Sequence, residues 1–102
     1  MLVVLTTTPT KSEADILAGK IIEARLAACV QILPQMTSVY EWNGNVHREG
    51  EHLLLIKTPS ERWDELSAFI AANHSYDTPE IVAIEAEKVS RPYLDWINGL
   101  LR

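Results

Sequence analysis

The chain has 102 residues, 47% of them hydrophobic, with a formal net charge of -5 and a pI near 5.1. This length fits one domain, residues 1–102, around one core, and the scattered lysines and arginines argue against nucleic acid or an anionic membrane as a partner. The longest apolar runs, residues 1–5 and 53–56, are too short to span a bilayer. With one cysteine, no intrachain disulfide and no cleavable leader before the first run, we expect a cytoplasmic protein.

The first two predicted elements are a buried strand and an amphipathic helix. Residues 2–7 form a short apolar run that ends in threonines before Pro9, which is typical of a strand at the centre of a sheet. Thr10 and Glu13 then have the spacing of a capping box. Apolar residues follow at helical intervals and predict a helix of about 14 residues that buries Ala14, Leu17, Ala18 and Ile21.

A long β-hairpin, residues 28–58, occupies the middle of the chain. Asn43-Gly44 is a strong signal for a two-residue hairpin turn, and Pro34, which has no backbone N–H, predicts an edge position or a bulge in the first arm. Arms of roughly 13 to 15 residues span about 40 Å at 3.3 Å per residue, about twice the length of the other strands. The hairpin must therefore extend past its own sheet, and we expect other copies of the chain to cover Val39, Tyr40 and Trp42.

The rest of the chain adds a helix, a strand and a helical tail. Residues 58–61, Thr-Pro-Ser-Glu, predict the start of the second helix. A polar loop at residues 73–80 leads to a strand at residues 81–86, and a third helix from Ser90 is predicted to bury Tyr93, Trp96, Ile97 and Leu100. The order βαββαβ plus a C-terminal helix indicates an α+β, ferredoxin-like split βαβ fold, with an antiparallel sheet and both main helices on one face.

Cys29 and His74 are the residues best suited to metal or nucleophilic chemistry. A lone cysteine on a strand is most often an inert packing residue, since a reactive thiolate needs a nearby cation or metal. His74 lies in the polar loop with Tyr76, Asp77 and Glu80, where it can titrate, bind a metal or cap a turn. The two residues are 45 positions apart, so any shared site depends on the fold.

Lys57 follows the apolar residues 53–56 and must reach water, a carboxylate or an anionic ligand. Glu80, at the start of the last strand, is its predicted partner in a structural ion pair. The alternative is a ligand cleft walled by aromatic side chains from neighbouring chains. Its predicted residues are Trp42, Lys57, Tyr76, Glu80 and Trp96.

Five short motifs, in this order, resemble the CutA divalent-cation-tolerance family: ARLAACV from residue 24, YEWNG from residue 40, LLIKT from residue 54, HSYDTPEI from residue 74 and YLDW from residue 93. The resemblance implies a ferredoxin-like subunit of a homotrimer whose hairpins pair between chains. It also implies a role in tolerance to divalent metals, with copper binding in some members. By position it makes Cys29 and His74 metal ligands, whereas Thr6 and Asn73 stand where some relatives have a further Cys and His.

Three functional hypotheses follow. The first is a non-enzymatic homotrimer that binds divalent metal ions, copper first, and contributes to metal tolerance. The second is a trimeric signalling or scaffold protein that binds a small anionic ligand or a protein partner in clefts between subunits. The third is an enzyme in which Cys29 is the nucleophile and His74 the base.

Overall fold

The computed structural model describes residues 1–101, which contain five strands and three α-helices. None of these helices combines the length and the hydropathy needed to cross a bilayer. A 3₁₀ turn at Ser60–Arg62 precedes the second helix. The strands are β1 Leu2–Thr8, β2 Cys29–Ile32, β3 Met36–Trp42, β4 Asn45–Thr58 and β5 Val82–Glu85, and the helices are α1 Lys11–Glu23, α2 Trp63–Ala72 and α3 Arg91–Leu100.

The strands form an antiparallel sheet in the order β2-β4-β1-β5, and β3 pairs with the outer part of β4. This order is that of the ferredoxin-like fold predicted from the sequence. Strand β1 lies at the centre, as expected for its apolar run. Strand β5 is shorter than the predicted 81–86, and its pairing with β1 ends where Val82 meets Leu5.

Helix α1 begins at the predicted threonine cap. The Thr10 hydroxyl oxygen accepts a hydrogen bond from the Glu13 N–H at 3.1 Å, and Ala14, Leu17 and Ile21 are buried. A full capping box would direct the Glu13 carboxylate back to Thr10. Here it accepts a hydrogen bond from the Ser75 hydroxyl at 2.9 Å and so ties the helix start to the loop after α2.

The two faces of the sheet are covered differently. Helices α1 and α2 pack on one face, where Val4, Leu54 and Ile56 are fully buried. We call the opposite side the open face, because α3 packs only at its end, with Ile97 against Ala28. Cross-strand pairing and side-chain alternation give this face a largely apolar surface, which includes Val3, Leu5, Leu55, Val82 and Ile84.

Strand β4 has 14 residues, but only its second half lies within the sheet. From His52 to Thr58 it pairs with β1, whereas the half from Asn45 to Glu51 pairs with β3 alone among the described residues. This outer part of the hairpin, residues 36–51, is called the ribbon below. It contributes to a molecule that measures 45 × 25 × 23 Å. The predicted overhang is confirmed.

The bulge predicted at Pro34 is also present. Ile32 pairs with Leu54 and Met36 with Glu51, so the first arm advances four residues while β4 advances three. The extra residue lies within residues 33–35, where Pro34 cannot donate to the ladder. The bulge thus separates the part of the hairpin in the sheet from the ribbon.

Two details of the predicted helices differ in the structure. The helical segment begins within residues 58–61, as the 3₁₀ turn Ser60–Arg62, and α2 follows from Trp63, but no side chain among the described residues caps either start. The buried Thr58 hydroxyl donates instead to the Leu26 carbonyl at 2.8 Å. In α3, Ile97 is buried as predicted, but Trp96 and Leu100 are nearly half exposed. Both face away from the core of their own chain.

The hairpin turn gives a direct test of the fold. Asn43 and Gly44 have φ values of 53° and 79°, as a type I′ turn requires. We expect Gly44→Ala to lower the free energy of unfolding by about 1 kcal/mol, because alanine is strained at positive φ. The control Gly19→Ala, inside α1 with open space around the new Cβ, should raise it by about 0.5–1 kcal/mol. Urea denaturation measures both, and a Gly44→Ala variant as stable as the parent would contradict the turn.

Candidate functional site

His74 is fixed at the edge of the sheet by both of its ring nitrogens. Its Nδ1 accepts a hydrogen bond from the Tyr76 N–H at 3.0 Å, so the proton is on Nε2, which donates to the Thr7 carbonyl at 2.7 Å. The imidazole reaches β1 beyond Leu5, the residue at which pairing with β5 ends. His74 therefore acts as a structural link between the loop and the sheet, and a metal would have to displace one of these bonds.

Tyr76 continues this network to β4. Its hydroxyl donates to Glu51 Oε2 at 2.9 Å, and its ring lies 4.9 Å from that of His74. Burial, followed by the hydrogen bond and charge of Glu51, raises the pKa of Tyr76 well above its usual range. The hydroxyl consequently stays protonated and acts as the donor to a carboxylate that is only 8% exposed.

Glu51 is a site residue that the sequence analysis did not identify. The available signal was the two-residue spacing from Glu51 to Leu53 and Leu55, which places all three side chains on the same face of β4, the open face. A carboxylate on that face needs a donor, and Tyr76 supplies it.

Lys57 and Cys29 lie at the opposite end of the open face. They are direct cross-strand neighbours, and the Lys57 ammonium is 5.6 Å from the centroid of the Tyr93 ring. The predicted pairing of Lys57 with Glu80 is wrong: within residues 1–101, no carboxylate lies at ion-pair distance from this ammonium. The Cys29 thiol is half-buried on the same face.

The predicted ligand cleft is not formed within one chain. Tyr76 reaches β4 at Glu51 and Lys57 is six residues further along, about 20 Å at the rise of a strand. Trp42 is exposed at the turn end of the ribbon, and Trp96 packs against Tyr93 with ring centroids 5.8 Å apart. Glu80 is exposed in the loop. These side chains can share a cleft only if different chains contribute them.

Cys29 and His74 are also separated. Cys29 is level with Val3 of β1 through their common partner Lys57, whereas His74 binds the carbonyl of Thr7. Four residues along a strand correspond to about 13 Å. One chain therefore forms neither a Cys-His metal site nor a Cys-His dyad from these residues, and residues 1–101 contain no group of three His, Cys, Asp or Glu side chains that could hold a metal ion.

Thr6 lies in the core and Asn73 lies at the end of α2. Thr6 is fully buried, and its hydroxyl has no hydrogen-bond partner among the described residues. Asn73 ends α2, with its backbone N–H and its side-chain amide both donating to the Phe69 carbonyl. Neither arrangement presents a strong ligand for a soft metal.

The comparisons with known proteins agree with this architecture. The family model described as CutA1 divalent ion tolerance protein matches residues 2–99. The chain is 44% identical over 96 residues to the divalent-cation tolerance protein CutA of Thermus thermophilus, covering 94% of this chain and 93% of that one. It is 43% identical over 101 residues to the chloroplastic protein CutA 1 of Oryza sativa subsp. japonica, covering 99% of this chain and 57% of the rice protein. The chain thus spans little more than half the length of this plant relative.

A solved structure gives the same result in three dimensions. The structure of the periplasmic divalent cation tolerance protein CutA from Archaeoglobus fulgidus matches with a TM-score of 0.95 and 35% identity over the full length of both chains. An antiparallel sheet with helices on one side is thus common to both proteins.

These relatives contradict the cytoplasmic location predicted from the sequence. The rice and Arabidopsis thaliana relatives are named chloroplastic, and the Archaeoglobus protein is described as periplasmic. The prediction was wrong because a lone cysteine and the lack of long apolar runs are compatible with any of these compartments. A family model that matches residues 2–99, together with relatives above 40% identity over nearly the whole chain, establishes that the chain belongs to the CutA1 divalent ion tolerance family.

Proposed function

We propose that this chain acts as a non-enzymatic homotrimer that contributes to divalent metal tolerance. The observation that carries the proposal is the ribbon, whose backbone groups pair only within the hairpin among the described residues. Its apolar side chains face solvent, with Val46 70% exposed and Val39 and Trp42 more than half exposed. Such a surface is typical of an interface, and three is the number of copies that the family resemblance implies.

The open face supports the same assembly. Ile84 is 52% exposed although it lies on a sheet, and Trp96 and Leu100 are exposed at the same end of the molecule. Burying apolar surface stabilises by about 25 cal/mol per Å². Copies that cover these residues and pair with the ribbon would satisfy both features.

Sedimentation of ribbon variants tests the assembly. We expect the parent protein at micromolar concentration to sediment at three times the chain mass of 11.5 kDa. The double variant Trp42→Glu, Val46→Glu should shift to lower mass, because each buried carboxylate would carry a desolvation penalty of several kcal/mol. The control Ile22→Glu also replaces an exposed apolar residue, on α1, and should leave the mass unchanged. A monomeric parent protein would contradict the proposal.

In this proposal, copper binds only to the assembled protein. The donors within one chain do not fit a copper ion, because Cys29 and His74 lie at different ends of β1. Cys29 nevertheless lies on the open face, the surface left for other chains, and a thiol is the softest ligand available. We therefore place copper between chains, with Cys29 and His74 as the ligands to be tested.

Anaerobic titration with Cu²⁺ tests these ligands. We expect the trimer to bind more tightly than about 1 mM, or −4.1 kcal/mol, and expect the double variant Cys29→Ala, His74→Ala to lose at least about tenfold in affinity. His47→Ala, an imidazole on the ribbon, is the control and should bind like the parent. Unchanged binding by the double variant would exclude the two ligands, and no binding by the parent would exclude copper.

Lys57 favours the second candidate function, binding of an anionic group between subunits. Its side chain lies on an apolar face above an aromatic ring, and no carboxylate neutralises it within residues 1–101. A cation in this setting is stabilised by an anion that fits the cleft.

Thermal shift measurements with succinate and with inorganic phosphate test this function. A ligand at 100 times its Kd stabilises by about 2.7 kcal/mol, so we expect a higher melting temperature for the parent protein with one of these anions. Lys57→Met keeps most of the apolar side chain and should abolish the shift. The control Lys88→Met, an exposed lysine between β5 and α3, should retain it. An equal shift in both variants would contradict a role for Lys57.

A further inference from the structure

A cavity of about 410 Å³ lies between α1 and the segment that follows α2. Helix α1 contributes Glu13, Ile16, Leu17 and Lys20, which recur at the spacing of one helix face. Residues 72–75 form the opposite wall. The volume is within the range of small-molecule sites. The cavity lies on the α1 and α2 side of the sheet, opposite the open face.

The cavity has opposite charges at its two ends. Glu13 and Lys20 are seven residues apart on α1, about 10 Å along the helix axis. Because helical side chains lean toward the N-terminus, both lean the same way and keep this separation. Neither forms an ion pair within residues 1–101, although the Glu13 carboxylate is positioned by the Ser75 hydroxyl.

Between these charges the cavity has an apolar wall. Ile16, on the side of α1 that lines the cavity, is 57% exposed. Leu17 and Ala72 extend this surface into the cavity. His74 contributes a neutral ring whose two nitrogens are already hydrogen-bonded. The cavity therefore has, along one line, a carboxylate that can bind a cationic group, an apolar centre and an ammonium that can bind an anionic group.

We propose that this cavity binds a short peptide with free termini. Its ammonium group pairs with Glu13, its carboxylate with Lys20, and an apolar side chain covers Ile16. An extended chain spans about 3.3–3.6 Å per residue, so three residues match the distance between the two charges. A simple metal ion or inorganic anion would use only one end of the cavity and leave Ile16 uncovered. His74 lines this cavity and is also a copper ligand to be tested, but the peptide contacts proposed here are with Glu13, Lys20 and Ile16 and need neither copper nor Lys57.

Binding of the tripeptide alanyl-leucyl-alanine to the assembled protein, followed by NMR or calorimetry, tests the proposal. We expect saturable binding with a Kd of about 1 mM or tighter. Acetylating the N-terminus or amidating the C-terminus should each weaken binding about tenfold, the usual effect of losing one charge-assisted hydrogen bond.

Matched variants assign each end. Lys20→Met should weaken binding of the free tripeptide about tenfold but leave binding of the amidated peptide unchanged. Glu13→Gln should also weaken binding of the free tripeptide about tenfold, but leave binding of the acetylated peptide unchanged. Lys11→Met and Glu23→Gln, on the same helix but outside the cavity, are the controls and should bind like the parent. The proposal is overturned if the free tripeptide does not bind at about 10 mM, if blocking its termini changes nothing, or if the controls lose as much affinity as the cavity variants.

Discussion

Strand β4 is twice as long as its neighbour β1, and this mismatch governs the structure. Its second half forms the core of the sheet, with Leu54 and Ile56 buried under α1 and α2. Its first half continues into the ribbon, where β3 is its only partner among the described residues. A strand shares hydrogen bonds with two neighbours when it lies inside a sheet. Half of β4 therefore has a backbone edge that residues 1–101 of one chain leave unpaired.

The same strand also keeps the candidate site residues apart. The loop after α2 is tied to one end of the sheet by His74 and Tyr76, which bind Thr7 and Glu51. Lys57, Cys29 and α3 lie at the other end. One chain thus carries two separate sets of candidate site residues. A site that combines both sets of residues would require more than one chain.

Local chemistry made much of the fold predictable. Thr10 could be identified as a cap, Asn43-Gly44 as a turn and Pro34 as a bulge, because each depends on the conformational preferences of residues adjacent in sequence. Contacts between residues far apart in sequence were harder to predict. Thr58 was predicted to cap a helix, but the fold brings it to the Leu26 carbonyl, and Glu51 finds its donor 25 residues away in Tyr76. The exposure of Trp96 was missed because an apolar pattern on a helix does not reveal whether its own chain or another covers it.

Amide hydrogen exchange along the ribbon tests the central claim most directly, because exchange reports whether each backbone N–H is hydrogen-bonded. If other copies complete the ribbon, outward-facing amides of residues 36–51 in the protein at micromolar concentration should exchange as slowly as those of β1. The double variant Trp42→Glu, Val46→Glu should release them while β1 remains protected. Rapid exchange of the outward-facing ribbon amides in the parent protein would contradict the account.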